Sequence, residues 1–395
     1  MIFGGDLIGV GGYGCVFSPI YKYTRILHGR ANKQFGTQKY VGKLLTRDDA
    51  SKEIEEGHGV LKLDPRNEFT IVPVAVTNLD PVYRDPKQSL CPMFRPERLF
   101  ENGGRSNLVQ LISINGGPSL HALFKQPVDQ WPKMDVLIKS FEKIFKGLKT
   151  LIDNDLIHND IKDDNICFDA SIGQSRLIDF GAMTRPYHVV HHEYILNYTY
   201  PTYPIEYKYI GYRLGKGSLP TQADLAQDVR MATYWAMRRL PHGEYERLSK
   251  TTINSFVEEM ASILRKESGN VLNTKVVDVI DQMVRRDDPN FPGFIASMKD
   301  EILRYEKKDT GEVIEDMTEN IFKYADVYAM CIVVINICTN YAGSFVKFPE
   351  RLLKKEANKK AITRLFAQAC KFCVEKRGRE KMLDDMIASL GKIRI

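Results

Sequence analysis

Residues 158 to 165 read H-N-D-I-K-D-D-N, and I-D-F-G follows at 178 to 181. Together they supply a carboxylate, an ammonium, a carboxamide and a second carboxylate in a fixed order. Moving a phosphoryl group from a magnesium-bound nucleotide to a hydroxyl needs that set. Asp160 is the candidate base that accepts or orients the hydroxyl proton. Lys162 would aim an ammonium at the transferring phosphate. Asn165 and Asp179 are the candidate magnesium ligands, through a neutral carboxamide oxygen and an anionic carboxylate. Phe180 and Gly181 complete the turn. A lone H-x-D is as readily a capping aspartate; the order and spacing of the whole set argue for chemistry.

A second block lies near the N-terminus, where residues 9 to 16 read G-V-G-G-Y-G-C-V. Gly9, Gly11 and Gly14, with Gly12 and Val10 beside them, would let backbone approach phosphate oxygens, and Val16 would cover a base. A glycine fingerprint can also open a Rossmann unit. No helical pattern follows the glycines here, so two strands and a tight turn are expected. The run K-Y-V-G-K-L-L at 39 to 45 is β-like, with Lys43 at its centre. In the helix expected over 48–63, Glu53 is the favoured partner for Lys43, because Gly57 and Val60 share its face. Glu56 is the runner-up.

These motifs resemble those of eukaryotic-type protein kinases, over most of the chain. The resemblance implies an α+β, bilobal kinase-like fold with a small β-rich N-lobe and a large helical C-lobe. Lys43 would hold the α- and β-phosphates of ATP, and Glu53 would hold Lys43. The segment Y-P-T-Y-P-I-E at 200 to 206 resembles the end of the activation segment. The run from Ala325 resembles the buried helix of the large lobe, whose Asp326 would hydrogen-bond the catalytic-loop backbone. Arg377 or Arg379 would pair with Glu206. Lysine two residues after the catalytic aspartate implies transfer to serine or threonine of protein substrates, with ATP and Mg²⁺ as cofactors.

The chain also departs from that family. Asn159 stands where the family has the arginine that reads a loop phosphate, which implies control by other means. About 120 residues separate Glu206 from Asp326, and the loop at roughly 20 to 38 is long. With its P-I-E variant, the chain looks most like kinases encoded by large DNA viruses. Two rivals share part of the pattern: a small-molecule phosphotransferase of the aminoglycoside or choline kinase type, and a pseudokinase scaffold.

The elements needed to position these groups set the expected organisation: an N-lobe over 1–108, a hinge, catalytic loop and activation segment over 109–214, a helical insertion over 215–320, and the remainder of the large lobe over 321–395. Gly116-Gly117-Pro118 would mark the hinge that holds adenine. Apolar spacing predicts one helix from Val136 to Asn154. Helical segments are also expected over 221–239 and 251–266.

A chain of 395 residues with 43% hydrophobic content suits a globular protein of two or three folding units. No leader or myristoylation glycine is recognised, and the apolar run near 327 to 338 reads as a buried helix too short to span a bilayer. Seven scattered cysteines suggest free thiols in a reducing compartment, hence an intracellular, cytoplasmic protein, or a virion component if viral. Cys370 and Cys373 fit core packing better than metal binding. Cys15 is a small side chain or a thiol beside the nucleotide. The net charge of +6 gathers after residue 350, as a solvated helical surface in the simpler reading. No aromatic-interleaved basic motif suggests specific nucleic-acid binding, and oligomeric state is open.

Overall fold

The computed structural model describes residues 5–11, 14–29, 39–79, 90–95, 107–192, 196, 202–216, 305, 308–344, 353–374 and 378–395. The architecture is α+β, with a six-stranded antiparallel sheet and many helices. Two compact units emerge: residues 1–118 with 176–182, and residues 119–175 with 183–395. Most of the expected 215–320 insertion, including both helical segments proposed within it, lies outside the described residues.

The first unit is built on strands β1 (Asp6–Gly11), β2 (Gly14–Ser18), β3 (Ile26–Gly29), β4 (Tyr40–Thr46), β5 (Ala75–Asn78) and β6 (Leu108–Ile114), in spatial order β1-β2-β4-β6-β5-β3. β1 and β2 form an antiparallel hairpin closed at Gly11 opposite Gly14. Gly14 has a steric reason to be glycine: a Cβ there would lie 2.2 Å from the Leu44 carbonyl oxygen. The expected boundary at 108 falls at the first residue of β6. That strand pairs with β4 along its whole length, from Leu108 opposite Thr46 to Ile114 opposite Tyr40, so it belongs to the sheet.

Side chains alternate between the two faces of the sheet. On one face lie Leu45, Val76, Val109 and Leu111, which pack against Ala50 and Ile54 of helix α1 (Arg47–Leu63). Thr46 caps α1, its hydroxyl oxygen accepting from Asp49 N at 3.2 Å. The other face gathers Cys15, Phe17, Tyr21, Leu44, Leu79, Cys91 and Leu108. Fully burying a side chain such as Phe17 or Leu44 contributes about 1.5–3 kcal/mol of transfer free energy. Buried Gln110 extends that second face: its Oε1 accepts from Tyr21 N at 2.7 Å, and its Nε2 donates to the Tyr21 carbonyl at 3.1 Å.

One expectation about cysteine is corrected here. Cys15 and Cys91 form a disulfide, both fully buried in this second cluster. Cys15 pairs with Leu44 across β2 and β4, whereas its neighbour Val16 pairs with Lys43. Alternation therefore turns Cys15 to the face opposite Lys43 and α1, where it is neither a free thiol nor beside the lysine. Residue spacing could not show this, because 76 positions separate the two cysteines. Among the described residues, Cys167, Cys331, Cys338 and Cys373 are not disulfide-bonded.

The segment 176–182 joins the first unit through backbone bonds at Leu177. Its N–H donates to the Phe69 carbonyl at 2.8 Å, and its carbonyl accepts from Ile71 N at 2.8 Å. The receiving loop is organised by buried Asp64, whose carboxylate accepts from the backbone N–H groups of Glu68, Phe69 and Thr70 and from the Thr70 hydroxyl.

The second unit is mainly helical: α2 (Leu120–Phe124), α3 (Met134–Ser140), α4 (Glu142–Asp153), α5 (Ile205–Arg213), α6 (Thr310–Asn320), α7 (Ala325–Ser344), α8 (Lys359–Val374) and α9 (Arg379–Gly391), with β7 (Ile166–Asp169) following the H-N-D-I-K-D-D-N loop. The chain passes from this unit back to the first within β8 (Gln174–Leu177).

The single helix expected over 136–154 is two helices, α3 and α4. The Ser140 hydroxyl donates to the Leu137 carbonyl at 2.6 Å, and Phe141 N bonds Ile138 one residue short of the α-helical spacing, so the ladder breaks there. The stretch Thr310–Cys338 is long and apolar enough by composition to cross a membrane, against the expectation that the run there is too short; 78% of its apolar window is buried within the protein. Val327, Met330, Cys331 and Val334 of α7 are buried, and this apolar helix forms part of the core. Asp135 ties the unit together: its carboxylate accepts from the backbone N–H groups of Lys354 and Lys355 and from Asn358 Nδ2, at 2.8 to 2.9 Å.

Candidate functional site

The first unit positions the phosphate-handling candidates. Lys43 lies on β4, on the face that receives α1, and its Nζ is ion-paired with Glu53 of that helix. Gly57 follows one turn later on α1, close against Pro73: a Cβ at Gly57 would approach the proline Cδ to 3.2 Å. Gly9, Val10 and Gly11 lie on β1, Gly14 and Val16 on β2; Val10 is 58% exposed. Gly12 lies outside the described residues.

Asp179 has φ 64°, a left-handed conformation that costs a non-glycine residue about 1–3 kcal/mol. Such an outlier persists only where surroundings hold it, here the backbone bonds of Leu177 two residues earlier. Asp179 and Glu56 both lie near Gly181: a Cβ there would fall 3.6 Å from Asp179 Oδ1 and 3.9 Å from Glu56 Oε2. The runner-up Glu56 therefore does not hold Lys43 but shares the neighbourhood of Asp179. Burial, then the charges of Glu53 and Asp179, push its carboxyl up to about 7. Burial likewise raises Glu53, with Lys43 opposing. Asp179 thus raises the cost of ionising both Glu53 and Glu56, with Lys43 opposing at both glutamates.

The second unit positions the hydroxyl-handling candidates. Asp160 and Lys162 are partly exposed, and Lys162 Nζ reaches both carboxylate oxygens of Asp160, at 3.0 Å to Oδ1 and 2.7 Å to Oδ2. Asn165, buried, ends a single 3-10 turn over Asp163–Asn165 whose N–H closes on the Lys162 carbonyl. Its Nδ2 donates to the Asp160 carbonyl at 2.8 Å and to Asp160 Oδ2 at 2.9 Å. Both amide protons are thus committed, which leaves the carboxamide oxygen as the atom Asn165 can offer a cation.

The loop itself is fixed from α7. Asp326, buried, accepts from His158 N through Oδ2 and from Asn159 N through Oδ1, the latter at 2.8 Å. Burial pushes the Asp326 carboxyl up, against the pull of His158 and of those two N–H groups. Between these bonds Asn159 adopts φ 63°. Its Oδ1 accepts from the Tyr207 hydroxyl at 3.0 Å, so Asn159 is a buried amide bound to a tyrosine. Glu206 is buried in the first turn of α5, and Arg379 is buried with Glu206 as its strongest opposing charge; burial itself draws the guanidinium down. Arg377 lies outside the described residues.

Tyr203 is the residue that sequence reasoning missed. Its hydroxyl donates to Asp160 Oδ1 at 3.2 Å, and its ring stacks on Tyr207 at 5.6 Å. The only signal was its place in Y-P-T-Y-P-I-E, which speaks of position and not of contact. A further cluster, His121 with Asp163 and Asp164, brings ligand-type atoms within 4.8 Å of one another, partly exposed.

Compared with known proteins, the chain matches no family model and no curated sequence.

Proposed function

We propose that this chain is an ATP- and magnesium-dependent protein kinase with a kinase-like, two-lobed fold, transferring the γ-phosphate to serine or threonine of a protein. One observation carries the reading: Lys162 and Asn165 converge on the Asp160 carboxylate in a loop whose backbone is pinned by Asp326. A capping or turn aspartate has no need of an ammonium and a carboxamide on its own oxygens. The Lys43–Glu53 ion pair supports the same reading from the first unit.

In this mechanism Asp160 orients the acceptor hydroxyl and accepts its proton, Lys162 offsets charge on the transferring phosphoryl group, and Lys43, held by Glu53, steadies the α- and β-phosphates. Asn165, through its carboxamide oxygen, and Asp179, through its carboxylate, are each a candidate magnesium ligand within its own unit; magnesium would supply charge neutralisation to the phosphates when bound. Catalysis is then positioning plus electrostatics.

The test is labelled phosphate transfer from ATP to casein or a basic protein, run beside small alcohols and aminoglycosides. Transfer to protein that Asp160→Asn abolishes is expected. Transfer to the small alcohols alone would replace this reading with a small-molecule phosphotransferase. Nucleotide binding without any transfer would replace it with a scaffold.

A further inference from the structure

Both oxygens of the candidate base already have their hydrogen bonds. An ionised carboxylate offers about four lone-pair positions. Asp160 uses Oδ1 for Lys162 and Tyr203, and Oδ2 for Lys162 and Asn165. An acceptor hydroxyl that is to donate its proton to this carboxylate must therefore take the place of a donor already there.

Which donor yields follows from the contacts. Lys162 is charged, bonds both oxygens and makes the shortest contact, 2.7 Å. Asn165 is clamped by its second bond to the Asp160 carbonyl. Tyr203 is neutral, makes the longest of the four contacts at 3.2 Å, and holds Oδ1 through a hydroxyl that can rotate without moving the ring. The ring is held by its stack on Tyr207 and by burial. We infer that Tyr203 is the resident occupant of the acceptor's place on Asp160: its phenol donates to Oδ1 while no acceptor is bound, and the incoming hydroxyl displaces that bond. Tyr203 is thus a specificity-determining residue for the acceptor, and binding a protein hydroxyl includes the cost of evicting it. This rests on the kinase reading above, with Asp160 as base.

The experiment compares wild type with Tyr203→Phe, which removes one oxygen and keeps the stacked ring. Losing a competing neutral hydrogen bond should lower KM for a serine peptide by about three- to tenfold. KM for ATP and kcat should stay within about twofold on the same scale of argument, since the phenol touches neither nucleotide nor phosphate. Slow ATP hydrolysis without peptide, in which water is the acceptor, should rise too. An unchanged peptide KM overturns the inference. So does a raised KM or a lowered kcat, which would show that the phenol helps the acceptor or steadies the base. Melting curves confirm that the variant is folded at the assay temperature, so that the comparison reads the lost phenol oxygen alone. Absence of phosphate transfer by the wild type would sink the kinase reading and this inference together, whereas an active wild type with an unresponsive Tyr203→Phe sinks only the inference.

Discussion

Replacing Asp326 with asparagine tests the link between buried structure and chemistry most directly. The carboxylate presents one oxygen to His158 N and the other to Asn159 N. An asparagine keeps one oxygen and turns an NH₂ toward the second N–H, leaving a buried donor facing a donor. That costs about 1–3 kcal/mol, part of it offset because a buried charge has gone. Asn159 holds φ 63° between those two bonds, a conformation worth about 1–3 kcal/mol of strain that the loop can shed once one bond is lost. Relaxation there moves Asp160, the next residue. A displacement of about 1 Å at a reacting group costs on the order of 10²-fold in rate. Asp326→Asn should therefore melt a few degrees lower and show kcat for phosphate transfer reduced about 100-fold, with KM for ATP little changed, because Lys43 and Glu53 are untouched. Thermal unfolding and steady-state kinetics on the same preparation suffice. A variant that is destabilised but retains wild-type kcat would refute the argument that Asp326 acts by holding the loop.

Asp160→Asn should abolish transfer while Mg-ATP still raises the melting temperature in a titration, since the nucleotide's candidate contacts lie elsewhere. Glu56 gives a pH signature. Its folded pKa, about 7, exceeds the ordinary 4.5, so the folded chain retains a proton that the unfolded chain releases. Stability should then fall as pH rises from about 4.5 to about 7, by on the order of 1 kcal/mol once screening at a half-exposed group is allowed for. Chemical denaturation in chelator at both pH values would show the slope, and Glu56→Gln should flatten it; an identical slope in the variant would exclude Glu56 as its source. Cys91→Ser opens a loop spanning 76 positions and should cost about 4 kcal/mol by the loop-entropy relation. Urea unfolding with and without reductant should show that loss in wild type and no further reductant effect in the variant.

Contacts between residues near in sequence were more legible than those between distant ones. Asp160, Lys162 and Asn165 lie within six positions of one another, so local geometry alone brings them together and their spacing could be read directly. Lys43 and Glu53 were readable for a related reason, because a strand running straight into a helix leaves few ways for a lysine and a glutamate to meet. Contacts made across long separations had no such signature. The Cys15–Cys91 disulfide, the Tyr203 hydroxyl on Asp160 and the Asp135 carboxylate beneath Lys354 and Lys355 depend on which segments the fold apposes, and residue types do not announce that. The break between α3 and α4 was hidden because apolar periodicity continues across it, while Ser140 diverts a single carbonyl.

Asn159 and Asp179 share a property with implications for how this chain can change. Each sits at a backbone angle that suits glycine, yet each carries a side chain. Glycine at either position would ease the main chain and delete a polar group; alanine would delete the group and keep the strain. The pair of substitutions thus separates conformational from chemical contributions at one residue. It also means that variants selected purely for thermal resilience should drift toward glycine at these two places, losing the Asn159 amide and the Asp179 carboxylate as they do.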